Sequence, residues 1–239
     1  MGSKIIVALT AAALLAAVAV ATPPESSVQR ETMVATQIEA RGVRDPRVLA
    51  AMRKILRHRF VPESLAGEAY QDHPLPIGRG QTISQPYIVA IMTELLAPQP
   101  GEKILEIGTG SGYQAAVLAE LGARVFSIEI VPELAESARR TLAETGYGQV
   151  TVIQGDGWLG HAAEAPYDAI LVTAAPERVP EELVKQLRVG GRMVLPVGDH
   201  RQRLRVLEKT AEGIRERDLF EVRFVPMVEG SPSPETPTR

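Results

Sequence analysis

At 239 residues, 45% apolar and 23% charged, the chain has the composition of a globular protein and the length for one substantial α/β domain with its own core. A formal charge of −3 without a basic block excludes a general electrostatic pull toward nucleic acid, and 4% aromatic residues are too few for a base-stacking surface. The lack of cysteine excludes disulfides, thiol nucleophiles and thiolate metal sites, and no metal is expected.

Lys4 precedes an apolar stretch from Ile5 to Ala21 that only Thr10 interrupts. Ala17-Val18-Ala19 and Ala19-Val20-Ala21 both fit the small-x-small pattern of a signal-peptidase cut. Residues 1–21 therefore read as a signal peptide, which predicts a periplasmic or secreted protein. The alternative is an uncleaved anchor, because the stretch approaches the ~20 residues that span a bilayer. A start at Met33 would instead give a cytoplasmic form.

Residues 26–100 read as a helical and loop region. Val28, Thr32, Ala35 and Ile38 recur near helical spacing. Asp45-Pro46 opens a second helix, with Asp45 as cap and Val48, Met52 and Ile55 inward; Arg57-His58-Arg59-Phe60-Val61-Pro62 closes it. The prolines and glycines of residues 72–80 predict a loop or short hairpin, read either as a cover over substrate or as a rigid connector. An amphipathic helix follows, with Ser84 as cap, Pro86 in its first turn and Ile88, Ile91, Met92 and Leu95 on one side.

From residue 101 the rhythm is strand, helix, strand. Strands are predicted at 103–107, 124–129, 150–154, 169–173 and 192–196, and helices at 113–121, 132–144 and 180–187. Two late strands, 203–208 and 221–226, flank a turn at Glu212-Gly213. The alternation predicts a mainly parallel sheet with helices on both faces, a Rossmann-like α/β fold with a late antiparallel edge. Residues 101–227 form this core, and 228–239 read as a disordered tail.

Glu106-Ile107-Gly108-Thr109-Gly110-Ser111-Gly112 ends the first core strand. Alternate glycines let the backbone turn sharply and approach a ligand closely. A dinucleotide fingerprint would space them G-x-G-x-x-G and rest pyrophosphate on the helix start. Here Glu106 stands where an anion would be repelled, whereas a sulfonium cation tolerates it. Glu129, at the end of the second strand, suits ribose hydroxyls, and Asp156 of Gly155-Asp156-Gly157 suits an adenine amino group. Three acids at three successive strand ends favour S-adenosylmethionine over a dinucleotide.

Several further stretches carry a resemblance: Arg57 to Glu63, Ala69-Tyr70-Gln71-Asp72, Pro74 to Gly78, Gly80-Gln81-Thr82-Ile83-Ser84-Gln85-Pro86-Tyr87, Ala165 to Ile170 and Gln186 to Gly191. With the glycine loop and Gly155-Asp156-Gly157, they make residues 46 to 226 resemble the protein-L-isoaspartate (D-aspartate) O-methyltransferases. The resemblance implies methyl transfer to the free carboxylate of L-isoaspartyl residues in damaged proteins, with D-aspartyl residues as a second class. It implies Ser84 as the active-site serine and Gln81, Thr82 and Ile83 as substrate contacts. Glu106, Gly108, Gly110, Gly112, Glu129, Asp156 and Gly157 are implied as cofactor contacts. His58, His73 and Asp72 are not needed for an already ionised nucleophile, and Trp158 reads as cofactor cover or core filler. A monomer is expected, with isoaspartyl proteins and peptides as partners. The rival functions are methylation of a small molecule and a non-catalytic binding module.

Overall fold

The structure, a computed structural model, describes residues 24–230; the leader reading of residues 1–21 and the tail from residue 231 onward lie outside the described residues. Besides a two-stranded hairpin of β1 (Leu75–Gly78) and β2 (Gln81–Ile83), a seven-stranded sheet of β3 to β9 forms the frame, in the order β5-β4-β3-β6-β7-β8-β9. Its parallel part comprises β3 (Lys103–Ile107), β4 (Arg124–Glu129), β5 (Thr151–Gln154), β6 (Tyr167–Val172) and β7 (Leu187–Val197). The strands β8 (Gln202–Thr210) and β9 (Gly213–Val222) return antiparallel at one edge, as the late strand–turn–strand pattern predicts. The sheet is apolar on both faces because each is covered, which is why Ile104, Leu105, Ile170 and Leu171 sit side by side without exposure.

On one face Leu105, Ile107, Phe126, Ile170 and Met193 meet Leu183 of α6 (Glu181–Gln186). On the other, Ile104, Val125, Ala169 and Val194 pack under α2 (Pro46–Lys54), α3 (Pro86–Leu96) and α4 (Tyr113–Glu120). The helix α5 (Pro132–Glu144) packs along β4 and β5. Asp45 caps α2 as its sequence predicts, accepting from the Arg47 N–H at 2.8 Å.

Three local expectations fail. After α1 (Pro24–Thr32) the chain continues through a π-helical turn, Met33–Ile38. The wider turn moves the inward face to Met33, Val34 and Ile38, leaving Thr32 and Ala35 exposed and Val28 67% exposed. At α3, Gln85 rather than Ser84 holds the capping position, and the fully covered face is Val89, Ala90, Met92 and Leu96; Ile88, Ile91 and Leu95 are half-buried beside it. The last strand is Gly213–Val222, not 221–226. Its exposed Arg215, Glu216, Arg217, Asp218 and Glu221 conceal any apolar alternation, and the apolar run after it is not a strand of the sheet. Arg205 of β8 pairs with Asp218 at 2.6 Å and Glu216 at 3.0 Å.

A cross-element clamp holds the end of α3. Arg192 of β7 donates to the Leu96 and Ala97 carbonyls and pairs with Glu102 at 2.8 Å. These carbonyls have no helical partner of their own. Replacing Arg192 with alanine is expected to cost about 2–3 kcal/mol, since bonds to a charged donor contribute roughly 1.5–3 kcal/mol each and part of this group is wet. Thermal unfolding should then shift down by about 5–10 °C; an unchanged midpoint would remove the clamp from the list of stabilising contacts.

Candidate active site

The chain runs outward from β3 to β4 and β5, then returns to the opposite side of β3 for β6 and β7. That reversal creates a crevice at the carboxyl ends of β3 and β6, the usual place for a ligand in such sheets. The glycine loop turns into it. Gly108 and Thr109 donate their N–H groups to the Ile128 carbonyl at 2.8 and 3.2 Å, so the loop folds over the end of β4. Gly108 has φ 94°, and a Cβ there would stand 2.5 Å from Thr173 Oγ1. That hydroxyl donates to the Gly108 carbonyl at 2.7 Å, so only glycine fits.

Glu129 ends β4 with its carboxylate turned back into the loop. One oxygen accepts from the Gly110 N–H at 2.8 Å and the other from the Val131 N–H at 3.0 Å. Burial raises its pKa above the ordinary carboxylate value, and these backbone donors oppose the rise. Glu106 lies deeper. It is wholly buried, with one oxygen accepting from the Ser127 hydroxyl and the other without a partner. Burial pushes its pKa up to about 8, the Ser127 bond lowers it, and the Glu129 charge raises it further.

The resulting cavity encloses about 810 Å³ of atom-free space, open solvent at its mouth included. Gly108, Gly110, Glu129, Gly157, Gln81, Thr82, Ile83 and Ser84 line it together. Glu106 lies beneath the lining rather than in it, Gly112 packs against Leu142 of α5, and Asp156 faces away. The Asp156 carboxylate accepts from the Trp158 N–H at 2.9 Å and the Gly230 N–H at 2.8 Å. Of the three strand-end acids, then, only Glu129 reaches the cavity surface. Among the described residues no lysine, arginine or histidine lines it. A lining with one carboxylate and no cation suits a positively charged ligand bearing hydroxyls and repels pyrophosphate.

One wall was not legible in the sequence. Residues 225–228 cross the strand ends as a strap, with the Ala175 N–H donating to the Val225 carbonyl and the Met227 N–H to the Ala175 carbonyl, both at 2.8 Å. Trp158 Nε1 donates to the Met227 carbonyl at 3.4 Å, so this residue helps to hold the cover. The only sequence signal is the apolar run Phe224-Val225-Pro226-Met227, whose first three residues fall in the strand predicted at 221–226.

Ser84 stands where this cavity meets a wider outer groove. Thr82, Ser84, Thr173, Val225 and Pro226 line both spaces, and Arg41, Tyr87 and Phe224 line the outer one. Among the described residues the Ser84 hydroxyl has no hydrogen-bond partner, so it is free to meet a ligand. Residues 75–83 form a hairpin of β1 (Leu75–Gly78) and β2 (Gln81–Ile83), and Ile77 approaches Gly110 closely enough to touch a Cβ placed there at 3.4 Å. His58 bonds to the Tyr70 hydroxyl, and His73 to Pro74 and Gln71; neither lines the cavity. Asp72 is engaged by Arg41 and Gln85.

Similarity to known proteins agrees with this geometry. The profile of the protein-L-isoaspartate (D-aspartate) O-methyltransferases matches residues 28–232. The protein-L-isoaspartate O-methyltransferase of Gloeobacter violaceus is 57% identical over 202 residues, covering 84% of this chain and 98% of the relative. That of Methanopyrus kandleri is 54% identical over 215 residues, 87% of this chain and 95% of the relative. A solved protein-L-isoaspartate O-methyltransferase superposes with TM-score 0.75 at 30% identity over 82% of this chain, which spans 65% of that one. The Plasmodium falciparum structure, in complex with S-adenosyl-L-homocysteine, gives TM-score 0.75 at 24% identity over 84% of this chain and 99% of its own, and speaks for the fold. With the strand-end carboxylate, the cation-free cavity and a match along most of its length, this chain belongs to the protein-L-isoaspartate (D-aspartate) O-methyltransferase family.

Proposed function

We propose that this protein repairs damaged proteins by methylating the free carboxylate of L-isoaspartyl residues, using S-adenosylmethionine. The observation that carries the reading is the junction at Ser84, where a cavity suited to a cationic nucleoside shares its wall with an outer groove lined by Arg41, Tyr87 and Phe224. Bound S-adenosylmethionine supplies an electrophilic methyl group on a sulfonium that leaves as a neutral thioether. Glu129 would hold the ribose hydroxyls, and Gly108, Gly110 and Gly157 let backbone and cavity wall come close to the nucleoside.

The protein's own residues have little proton transfer to perform. A carboxyl group has an ordinary pKa near ~4, so the substrate is ionised before it arrives. Rate then comes from alignment: the Ser84 hydroxyl donates to the substrate carboxylate and fixes its approach, while the strap and Ile83 limit water around it. In this reading residues 26–100 supply the substrate side, residues 101–227 the cofactor side, and the enzyme acts as a monomer. D-aspartyl residues are a second substrate class. Labelled donor should methylate an isoaspartyl peptide and leave its aspartyl counterpart unmarked. Equal labelling of both, or of a small acid alone, would defeat the repair assignment.

Ser84→Ala is expected to lower kcat by roughly 10–100-fold, the loss of one hydrogen bond to a charged group. Because the hydroxyl has no partner among the described residues, the melting temperature should hardly move. Unchanged turnover would exclude the alignment role.

The leader is read as an export signal. Among the described residues no helix is long and apolar enough to cross a membrane. Fractionation with mass spectrometry of the mature amino terminus tests the location, and recovery of full-length or Met33-initiated protein from the cytoplasm would refute it.

A further inference from the structure

Beneath the cavity a chain of three side chains runs into the protein. Thr109 lines the cavity, and its hydroxyl lies 2.6 Å from that of Ser127, which donates to Glu106. Either hydroxyl of the Thr109–Ser127 pair can be the donor, so by rotating together the two hydroxyls can pass a proton between the carboxyl and the cavity in either direction. Both hydroxyls are buried, and the far oxygen of Glu106 has no partner among the described residues. An ionised carboxylate held by one hydrogen bond without solvent is poorly stabilised.

No neighbouring charge corrects this. Opposite Glu106, β4 presents Ser127 and β6 presents apolar Leu171. Beside this face α4 begins with Tyr113, which lies under Arg57, and Gln114, which donates to Thr93 of α3. Among the described residues Glu129 is the one charge that acts appreciably on Glu106, and it carries the same sign. A cation entering the cavity would remove the imbalance, and its departure would restore it.

We propose that Glu106 is a buried charge partner for the methyl donor, protonated in the ligand-free protein, deprotonated through the Ser127–Thr109 hydroxyls when the cationic donor binds, and reprotonated when only neutral product remains. Protons balance over the cycle. One leaves to solvent on donor binding and one returns after the methyl has passed to the substrate carboxylate, a step that itself moves no proton. Glu106 thereby separates donor from spent product by charge without touching either, which matters because the two otherwise share their nucleoside and amino-acid parts. The inference rests on the methyl-donor reading.

The test is calorimetry of the whole protein at pH 7 with S-adenosylmethionine and S-adenosylhomocysteine, each in phosphate and in Tris buffer. Buffer-dependent heat counts the protons released. The donor should release close to one more proton than the product, and Glu106→Gln should abolish that difference while still binding product. In wild-type protein the ratio of donor to product affinity should fall as pH is lowered below about 8, by up to roughly tenfold per unit. Equal proton release for both ligands, or a ratio that does not change with pH, would overturn the proposal even if Glu106→Gln fails to fold. A wild-type protein that binds neither ligand would strike the methyl-donor reading instead.

Discussion

Replacing Glu129 by alanine should reduce affinity for the methyl donor by at least about 100-fold. Two charge-assisted bonds to ribose hydroxyls, at roughly 1.5–3 kcal/mol each, would be lost together. The substitution also frees the Gly110 and Val131 N–H groups that the carboxylate now holds at 2.8 and 3.0 Å, so the glycine loop loses its anchor. Glu129→Gln separates the two effects: its amide oxygen can still accept from one backbone donor, while the charge is gone. It should therefore lose less stability than the alanine variant, because one of the two backbone donors keeps its acceptor, and bind the donor at an intermediate level. Calorimetry and thermal unfolding read both quantities, and an alanine variant with near-native affinity would remove Glu129 from the site.

Gly157→Val should be comparably damaging, for a steric reason. A Cβ at this position would lie 2.3 Å from Ile107 Cγ2 and 3.1 Å from the terminal methyl of Met227. The severe overlap is with Ile107, which the core of β3 holds in place, so the backbone at 157 must shift away from β3, and the strap that carries Met227 shifts with it. Overpacking of this kind costs roughly 1–3 kcal/mol of stability. The larger consequence is at the cavity, which all three residues line and where the displaced strap would alter the wall. Affinity for donor and for product should both fall by more than tenfold, unlike the charge-selective effect expected at Glu106. A Gly157→Val protein that melts lower yet binds normally would show that the strap moves without consequence for the ligand.

The sequence exposed this site through its unusual local chemistry. Alternate glycines after a strand, and an acid closing the next strand, have few structural uses, and they led directly to the loop and to Glu129. Depth was not legible. Glu106, Glu129 and Asp156 look alike in one dimension, yet one is sealed beneath the lining, one faces the cavity and one holds the backbone of Trp158 and Gly230. The parallel strands were readable because continuous apolar runs mark strands covered on both faces. β9 was not, since its first six residues are exposed on both faces and offer no apolar period to detect. The same limit hid the strap, whose apolar residues imitate a strand while serving as a wall. At the amino end a single π-helical turn was enough to put a correctly recognised helix out of phase.

The charged outer strand has a bearing on the company this protein keeps. Clients of a repair enzyme are aged chains, frayed in places and ready to stack their exposed backbone onto any unfinished sheet. One rim of this sheet is the four-residue β5, too short to seed such stacking. The other is β9, whose arginines, glutamates and aspartate confront an incoming strand with fixed charges of both signs. An enzyme built this way can handle sticky, deteriorating polypeptides without becoming a nucleus for their aggregation.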